Sequence, residues 1–279
     1  MATFFNVNLR KTGETMPRKS PTNAPLRSIV VIPARYGSTR LPKKMLLRQT
    51  GKTLLQHTFE AAAAATRPAS VLVATDHAEI AADVERFRGE SIMTSADCQS
   101  GTDRVAEVAR KMPRADIFVN VQGDEPEMSP ESIDRVIELL ENDPTARMAT
   151  LATPLPSPEL LTNPACVKVV FDNAGRALYF SRSQIPFIRD LPVENLANPR
   201  PFNDPPVFYQ HLGIYAYRRD ALLEFAALPP SSLENAEKLE QLRVIQAGHS
   251  IVVGVVPHAS SGIDTPADYA AFVARRKAG

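Results

Sequence analysis

Ser28-Ile29-Val30-Val31-Ile32-Pro33-Ala34-Arg35-Tyr36-Gly37-Ser38-Thr39-Arg40-Leu41-Pro42-Lys43-Lys44 decides the architecture. Its opening run is β-branched with no polar alternation, the pattern of a strand buried on both faces of a parallel sheet. In open α/β sheets, ligands bind at the carboxyl edge of such strands. Here the chain leaves that edge through a turn carrying Arg35, Arg40, Lys43 and Lys44 around Gly37 and Ser38. Small residues let the backbone approach a phosphate closely and offer amide donors, and the cations can neutralise its charge. A solvated basic turn is the competing reading of this segment alone.

Downstream, the pattern repeats. Thr53 to Thr66 reads as a helix, Ser70 to Thr75 as a second buried strand, Ala78 to Phe87 as a helix and Ser91 to Thr94 as a short strand. A helix over Asp103 to Lys111 and a strand over Ile117 to Gln122 follow, then a helix opened by Ser129-Pro130-Glu131. This alternation predicts an α/β, Rossmann-like fold: a mostly parallel sheet with right-handed crossovers and helices on both faces. From Met148 short β-like runs alternate with Pro-rich connections, which predicts a smaller antiparallel lobe inserted at about 150–218 of a single domain over 28–279. Leu191 to Pro206 carries five prolines and reads as an exposed loop. Phe208 to Tyr217 reads as a strand, Arg219 to Ala227 and Glu234 to Ala247 as helices, Ser250 to Val256 as a strand, and Thr265 opens a terminal helix. Residues 1–27 lack periodicity and read as a disordered extension, or as sequence upstream of a start at Met16.

Composition narrows the partners. The 279 residues carry a net charge of +1, so no global field draws the chain to nucleic acid or membrane and its cations act locally. Cys98 and Cys166 are the only cysteines and no secretory core precedes them, which fits a reduced, cytoplasmic interior. No stretch approaches a membrane span. There is no zinc-ligand spacing and no Gly-x-Ser-x-Gly elbow, the basic loop lacks the Gly-Lys-Ser/Thr of a P-loop, and the dinucleotide fingerprint is missing.

Asp124 is the most informative acid: a buried strand lifts it to the carboxyl edge, Gly123 leaves room beside it, and Pro126 fixes the exit. A carboxylate there can hold Mg²⁺ against phosphate oxygens, since magnesium takes one or two carboxylates with water and phosphate completing its shell. Asp264, before the last helix, is a second candidate, with ordinary helix capping as the alternative. Asp103 carries the same alternative. Gln99-Ser100-Gly101-Thr102 leaves the third strand at the same edge and can either read a nucleotide or cap a helix. Cys98 has no His and Asn pair to activate it. Arg182 can grip an acidic substrate, His211 and Tyr215 share a strand face if a period of two holds, and Glu240 and Gln241 can bind hydroxyls.

Taken together, Ile32 to Lys44, Ala-Thr-Asp-His at 74–77, Gln-Ser-Gly-Thr at 99–102, Asn-Val-Gln-Gly-Asp-Glu-Pro at 120–126, Tyr-Phe-Ser-Arg at 179–182, His-Leu-Gly-Ile-Tyr at 211–215 and Leu-Glu-Gln-Leu-Arg at 239–243 resemble the nucleotide-sugar cytidylyltransferases, in the branch that acts on 3-deoxy-manno-octulosonate (KDO). The resemblance runs from Ser28 to the carboxyl end. It implies a nucleotide-diphospho-sugar transferase fold and transfer of CMP from CTP to KDO for lipopolysaccharide biosynthesis, with Mg²⁺ and a homodimer built on the antiparallel lobe. It assigns Arg35 and Lys44 to the CTP phosphates, Arg40 to the reacting groups, Ser100, Gly101 and Thr102 to the nucleotide, and Asp124 and Asp264 to metal. Gln122, Arg182, His211, Tyr215, Glu240 and Gln241 form the implied sugar-acid pocket. The chain departs from the family at Lys43, where Gly is frequent, and in its amino-terminal extension. A cytidylyltransferase for another acidic sugar, such as sialic acid, is the runner-up, and a catalytically silent nucleotide-sugar binder is the reading from another class.

Overall fold

The computed structural model describes residues 26–38, 40–189 and 205–278. The extension expected over 1–27 and the loop expected over 191–206 lie almost wholly outside the described residues. The first half is built from strands β1 (Ser28–Ala34), β2 (Ser70–Thr75), β3 (Glu90–Met93) and β4 (Ile117–Asn120), with helices α1 (Leu54–Ala63), α2 (Ala78–Arg86) and α3 (Gly101–Lys111) between them and α4 (Pro130–Asn142) after β4. The second half contains β5 (Met148–Pro154), α5 (Pro158–Thr162), β6 (Lys168–Phe171), β7 (Ala177–Ser181), β8 (Tyr209–Arg218), α6 (Arg219–Ala227), α7 (Ser232–Glu237), α8 (Gln241–Gln246), β9 (Val252–Val255) and α9 (Pro266–Ala278).

The sheet runs in the order β3-β2-β1-β4-β8-β5-β9, with β6 joined to β8 and β7 to β6. β1 pairs in parallel with both β2 and β4, and β2 with β3. The chain therefore winds outward from β1 to β3 and then returns to the far side of β1 for β4. That reversal leaves a crevice beyond the carboxyl ends of β1 and β4, the position where open α/β sheets hold ligands.

β1 is buried along its whole length, as its β-branched run predicts. Val30 and Ile32 face a core shared with residues of α1, α2 and α4, while Ile29 and Val31 face the core of α3 and α6 on the other side. Within 150–218, β5 and β8 are central-sheet strands, since β5 pairs with β8 and with β9, and the β6–β7 hairpin between them joins the sheet at β8 off its main path.

One helix is corrected. Glu234 to Ala247, read as continuous, is two helices, α7 and α8, because Lys238 adopts a left-handed conformation at φ 53° and ends the first. Leu239 then turns into the core, and Arg243 of α8 reaches back to both oxygens of Glu234 at 2.8 and 2.6 Å, stapling the halves. The break sets Glu240 free to point towards α3.

Candidate active site

Between β1, β3 and β4 lies a cleft of about 320 Å³ lined by Arg35, Gly37, Ser38 and Arg40 from the basic turn, Gln99, Ser100 and Gly101 from the amino end of α3, Gln122, Gly123 and Asp124 after β4, and Asp264. Lys44 forms its wall. This lysine opens a short 3₁₀ turn (Lys44–Leu46) and is 7 % exposed. Its ammonium donates to Asp124 Oδ2 at 2.5 Å, to the Ile263 carbonyl at 2.8 Å and to Asp264 Oδ1 at 3.0 Å. Arg40 reaches the same Asp264 oxygen at 3.0 Å. Two aspartates 140 residues apart in sequence thus converge on one cation.

Local structure explains why they meet. β4 ends at Asn120 and the chain turns at Gly123, where a Cβ would stand 3.1 Å from the Pro33 carbonyl and 3.0 Å from Met45 Sδ. Only glycine lets this turn press against β1. Thr58 of α1 donates to the Gly123 carbonyl at 2.9 Å, and the Asp124 carbonyl accepts from the Ile263 amide at 2.9 Å. Helix capping, the alternative for Asp264, is carried by its neighbours. Thr265 Oγ1 accepts from the Asp268 amide at 3.2 Å, and the Asp268 carboxylate accepts from the amides of Thr265 at 2.8 Å and Asp264 at 3.1 Å. The Asp264 side chain is thereby left to the cleft. Helix α9 is seated by a cluster of Leu41, Leu54, Ile263, Tyr269, Phe272 and Val273.

At the amino end of α3 capping and site-building coincide. Ser100 and Asp103 form a reciprocal capping box, which occupies Asp103 as its alternative reading foresaw. The Ser100 hydroxyl also donates to Glu240 Oε1 and the Thr102 hydroxyl to Glu240 Oε2, both at 3.1 Å. Gly101 brings α3 close to Gln122, whose amide would stand 3.0 Å from an added Cβ. Burial pushes the Glu240 carboxyl up, while the two hydroxyls and Arg243 oppose that shift.

Thr102, Tyr215, Tyr217, Glu240 and Gln241 line a second, much smaller pocket. Glu240 is the wall between it and the Ser100 side of the cleft. The Gln241 amide nitrogen there is buried without a hydrogen-bond partner, a donor whose acceptor would have to come from outside the described residues. Period-two alternation holds along β8, with Leu212, Ile214 and Ala216 on one core and Tyr209, Tyr215 and Tyr217 on the other, because the register shift against β5 between Thr150 and Leu151 is by two residues and keeps the phase. His211 and Tyr215 accordingly lie on one side of the strand, their rings 5.5 Å apart. His211 Nε2 is 3.0 Å from Thr150 Oγ1, and burial pushes the imidazole down to about 3, so it is neutral.

Arg182 does not line the cleft. Its guanidinium rests on the carbonyls of Glu237 at 2.7 Å, Pro164 at 2.8 Å and Lys238 at 3.4 Å, and its amide donates to the Glu237 carboxylate. Lys43 also points away from the cleft, towards Tyr36 and Glu79. The Cys98 thiol lines the cleft but burial pushes it up, away from the thiolate a nucleophile needs.

Two features escaped the sequence reading. Glu125, partly buried beside Asp124 and accepting from Ser260 Oγ at 2.8 Å, is pushed up to about 7 by desolvation, with Asp124 and Asp264 adding to the shift and Ser260 and Lys44 opposing it. Its signal was its place directly after Asp124 at the sheet edge. Arg104 lies 4 % exposed in the cleft floor, paired with Asp76 at 2.8 Å. An arginine inside a helix carries no sign in sequence that it is buried, and its partner Asp76 lies 28 residues away.

Residues 29–251 match the family model described as Cytidylyltransferase. A 3-deoxy-manno-octulosonate cytidylyltransferase of Rhodopirellula baltica is 48 % identical over 250 residues, 90 % of this chain and 98 % of its own length. The enzyme of the same name from Geobacter sulfurreducens is 48 % identical over 85 % of this chain and 94 % of its own. Among solved structures, CMP:2-keto-3-deoxy-manno-octonic acid synthetase complexed with CTP superposes with a TM-score of 0.82 at 41 % identity, covering 90 % of this chain and 99 % of that one. A Leptospira borgpetersenii cytidylyltransferase, at 17 % identity and a TM-score of 0.58, shares the fold. With its basic turn, its paired aspartates and this match over most of its length, the chain belongs to the cytidylyltransferase family.

Proposed function

We propose that this protein transfers the cytidylyl group of CTP to the anomeric hydroxyl of KDO, giving CMP-KDO and pyrophosphate for lipopolysaccharide biosynthesis. The observation that carries this reading is the Lys44 ammonium shared by Asp124 and Asp264 inside a cleft walled by Arg35 and Arg40. In the reaction the sugar oxygen forms a bond to the α-phosphorus while the bond to the bridging oxygen of the leaving pyrophosphate breaks. The site must therefore gather a triphosphate, a nucleophilic oxygen and a sugar carboxylate. Arg35, Arg40 and Lys44 offset that negative charge and align the phosphates with the attacking oxygen. Ser100, Gly101 and Thr102 hold the nucleotide at the amino end of α3, where backbone amides and the helix dipole favour anions. Gln122, Tyr215, Glu240 and Gln241 form the sugar-acid side, with His211 against the Tyr215 ring and Arg182 held apart on backbone carbonyls. No side chain is assigned as general base.

Asp124 and Asp264 suit magnesium. Both already direct an oxygen at one cation, the Ile263 carbonyl adds a third hard donor, and one or two carboxylates completed by water and phosphate is the usual Mg²⁺ shell. When bound there, the ion supplies charge neutralisation for the phosphates. Solution as a homodimer is proposed on exposed Leu178, Phe187 and Val207 on and around the β6–β7 hairpin. A cytoplasmic location is proposed from the two free cysteines, and no helix among the described residues is long and apolar enough to cross a membrane.

Pyrophosphate release, measured with CTP, Mg²⁺ and KDO and with each omitted in turn, tests the reading. All three are expected to be required. No release from the complete mixture overturns the proposal, and equal turnover with sialic acid moves it to the wider class of acidic sugars.

A further inference from the structure

Tyr36 and Lys43 stand at the two ends of the turn that brings Gly37, Ser38 and Arg40 to the cleft. Neither residue lines it. Lys43 adopts a left-handed conformation at φ 51°, which strains any residue other than glycine. Its side chain does not spend that strain on phosphate. The ammonium lies 5.1 Å from the centroid of the Tyr36 ring and 3.7 Å from Glu79 Oε2. The Tyr36 hydroxyl donates to the other Glu79 oxygen at 3.0 Å. The Tyr36 ring also stacks on His77, centroids 3.6 Å apart and planes within 10°. His77 in turn caps α2, its Nδ1 accepting from the Glu79 amide at 3.2 Å. Both ends of the basic turn are thus tied to each other and to the first turn of α2.

We propose that Lys43 is a positioning residue for nucleotide binding, a clasp whose ammonium closes the basic turn on Tyr36 and Glu79 and so holds Arg35 and Arg40 ready for the triphosphate. A turn ordered in advance loses less entropy when the ligand arrives, and that saving appears as affinity. The step is independent of the chemistry at phosphorus, so it acts on CTP binding and leaves turnover at saturation alone. An exposed lysine that merely tolerates its backbone would behave differently: replacing it with glycine would relieve strain and change nothing else.

The two cases separate in four variants, K43G, K43R, E79Q and the double K43G/E79Q, followed by calorimetric titration with CTP in the presence of Mg²⁺, by thermal melts and by turnover at saturating substrates. K43G is expected to weaken CTP binding roughly two- to fivefold, the size of an exposed ion pair, with an undiminished melting temperature and turnover within about twofold of wild type. K43R restores the affinity. E79Q weakens it in the same direction, and the double variant binds no worse than the weaker single one, because both act through one contact. Wild-type affinity in K43G, or failure of K43R to restore it, overturns the clasp. The inference rests on CTP being the ligand. A wild-type protein that binds no CTP refutes the proposed function along with it, whereas wild-type binding with indifferent Lys43 variants refutes the clasp alone.

Discussion

Replacing Lys44 with methionine keeps the length and apolar stem of the side chain and removes the ammonium. Three acceptors then lose their donor: the two aspartates and the Ile263 carbonyl. Deleting one partner of a buried charge pair costs about 3–5 kcal/mol, because the remaining charges stay desolvated. Here the Asp264 side chain is 49 % exposed and that of Asp124 26 %, so water recovers part of the loss and the lower end, about 3 kcal/mol, applies. The same deletion removes a cation from the triphosphate site, which is expected to lower turnover roughly a hundredfold, equivalent to about 2.7 kcal/mol of barrier. Urea unfolding of the nucleotide-free protein reads the first quantity and pyrophosphate release at saturating CTP and KDO reads the second. Magnesium should stabilise the variant more than the wild type, since it would meet two carboxylates that have lost their counter-ion. A variant with an unchanged urea midpoint and at least a third of wild-type turnover would refute the placement of Lys44 at the centre of the site.

Asp124→Asn keeps the shape and removes the charge, so turnover should fall roughly a hundredfold with little change in melting temperature; near-normal pyrophosphate release would remove Asp124 from the reaction. Asp268→Ala strips the cap that holds the backbone of Asp264, which should destabilise by about 1 kcal/mol in a denaturant titration and slow turnover tenfold or more. Turnover equal to wild type would show that Asp264 is positioned by other means. His211 is held near 3, below its unfolded value of 6.5, so the native state binds fewer protons in that window. Its contribution is complete above pH 6.5 and is lost as pH falls towards 3, by about 2 kcal/mol between pH 6.5 and 5. His211→Gln should flatten that slope in urea titrations at several pH values, and an unaltered slope would assign the acid sensitivity elsewhere.

What could be read from the residues follows from how local each determinant is. β1, β2 and β4 are buried on both faces, so each presents an unbroken apolar run, and the strand before Asp124 announces both the sheet edge and the acid at it. The basic turn was legible because its cations crowd a short stretch. Other features needed the third dimension. Lys44 and Asp264 are separated by 220 residues and meet only because α9 packs on Leu41 and Leu54. The break between α7 and α8 depends on one left-handed lysine and on the burial of Leu239, neither of which alters helical periodicity. The two-residue register shift of β8 against β5 keeps the phase of its alternation and so leaves no mark on the sequence pattern. Whether Lys43 meets phosphate or solvent was open in the sequence, because the count of cations in a turn says nothing about which way each points.

The seating of α9 has a consequence for how the protein comes into being. The ribosome delivers Asp264 long after the basic turn and Asp124 have emerged. Until that final helix docks, the cleft has one of its two carboxylates and Lys44 has lost two of its three acceptors. Synthesis interrupted before Ile263 would release a product able to build most of the sheet yet lacking the second aspartate. The second aspartate and two of the three acceptors of Lys44 thus arrive together, with the segment that α9 seats against Leu41 and Leu54.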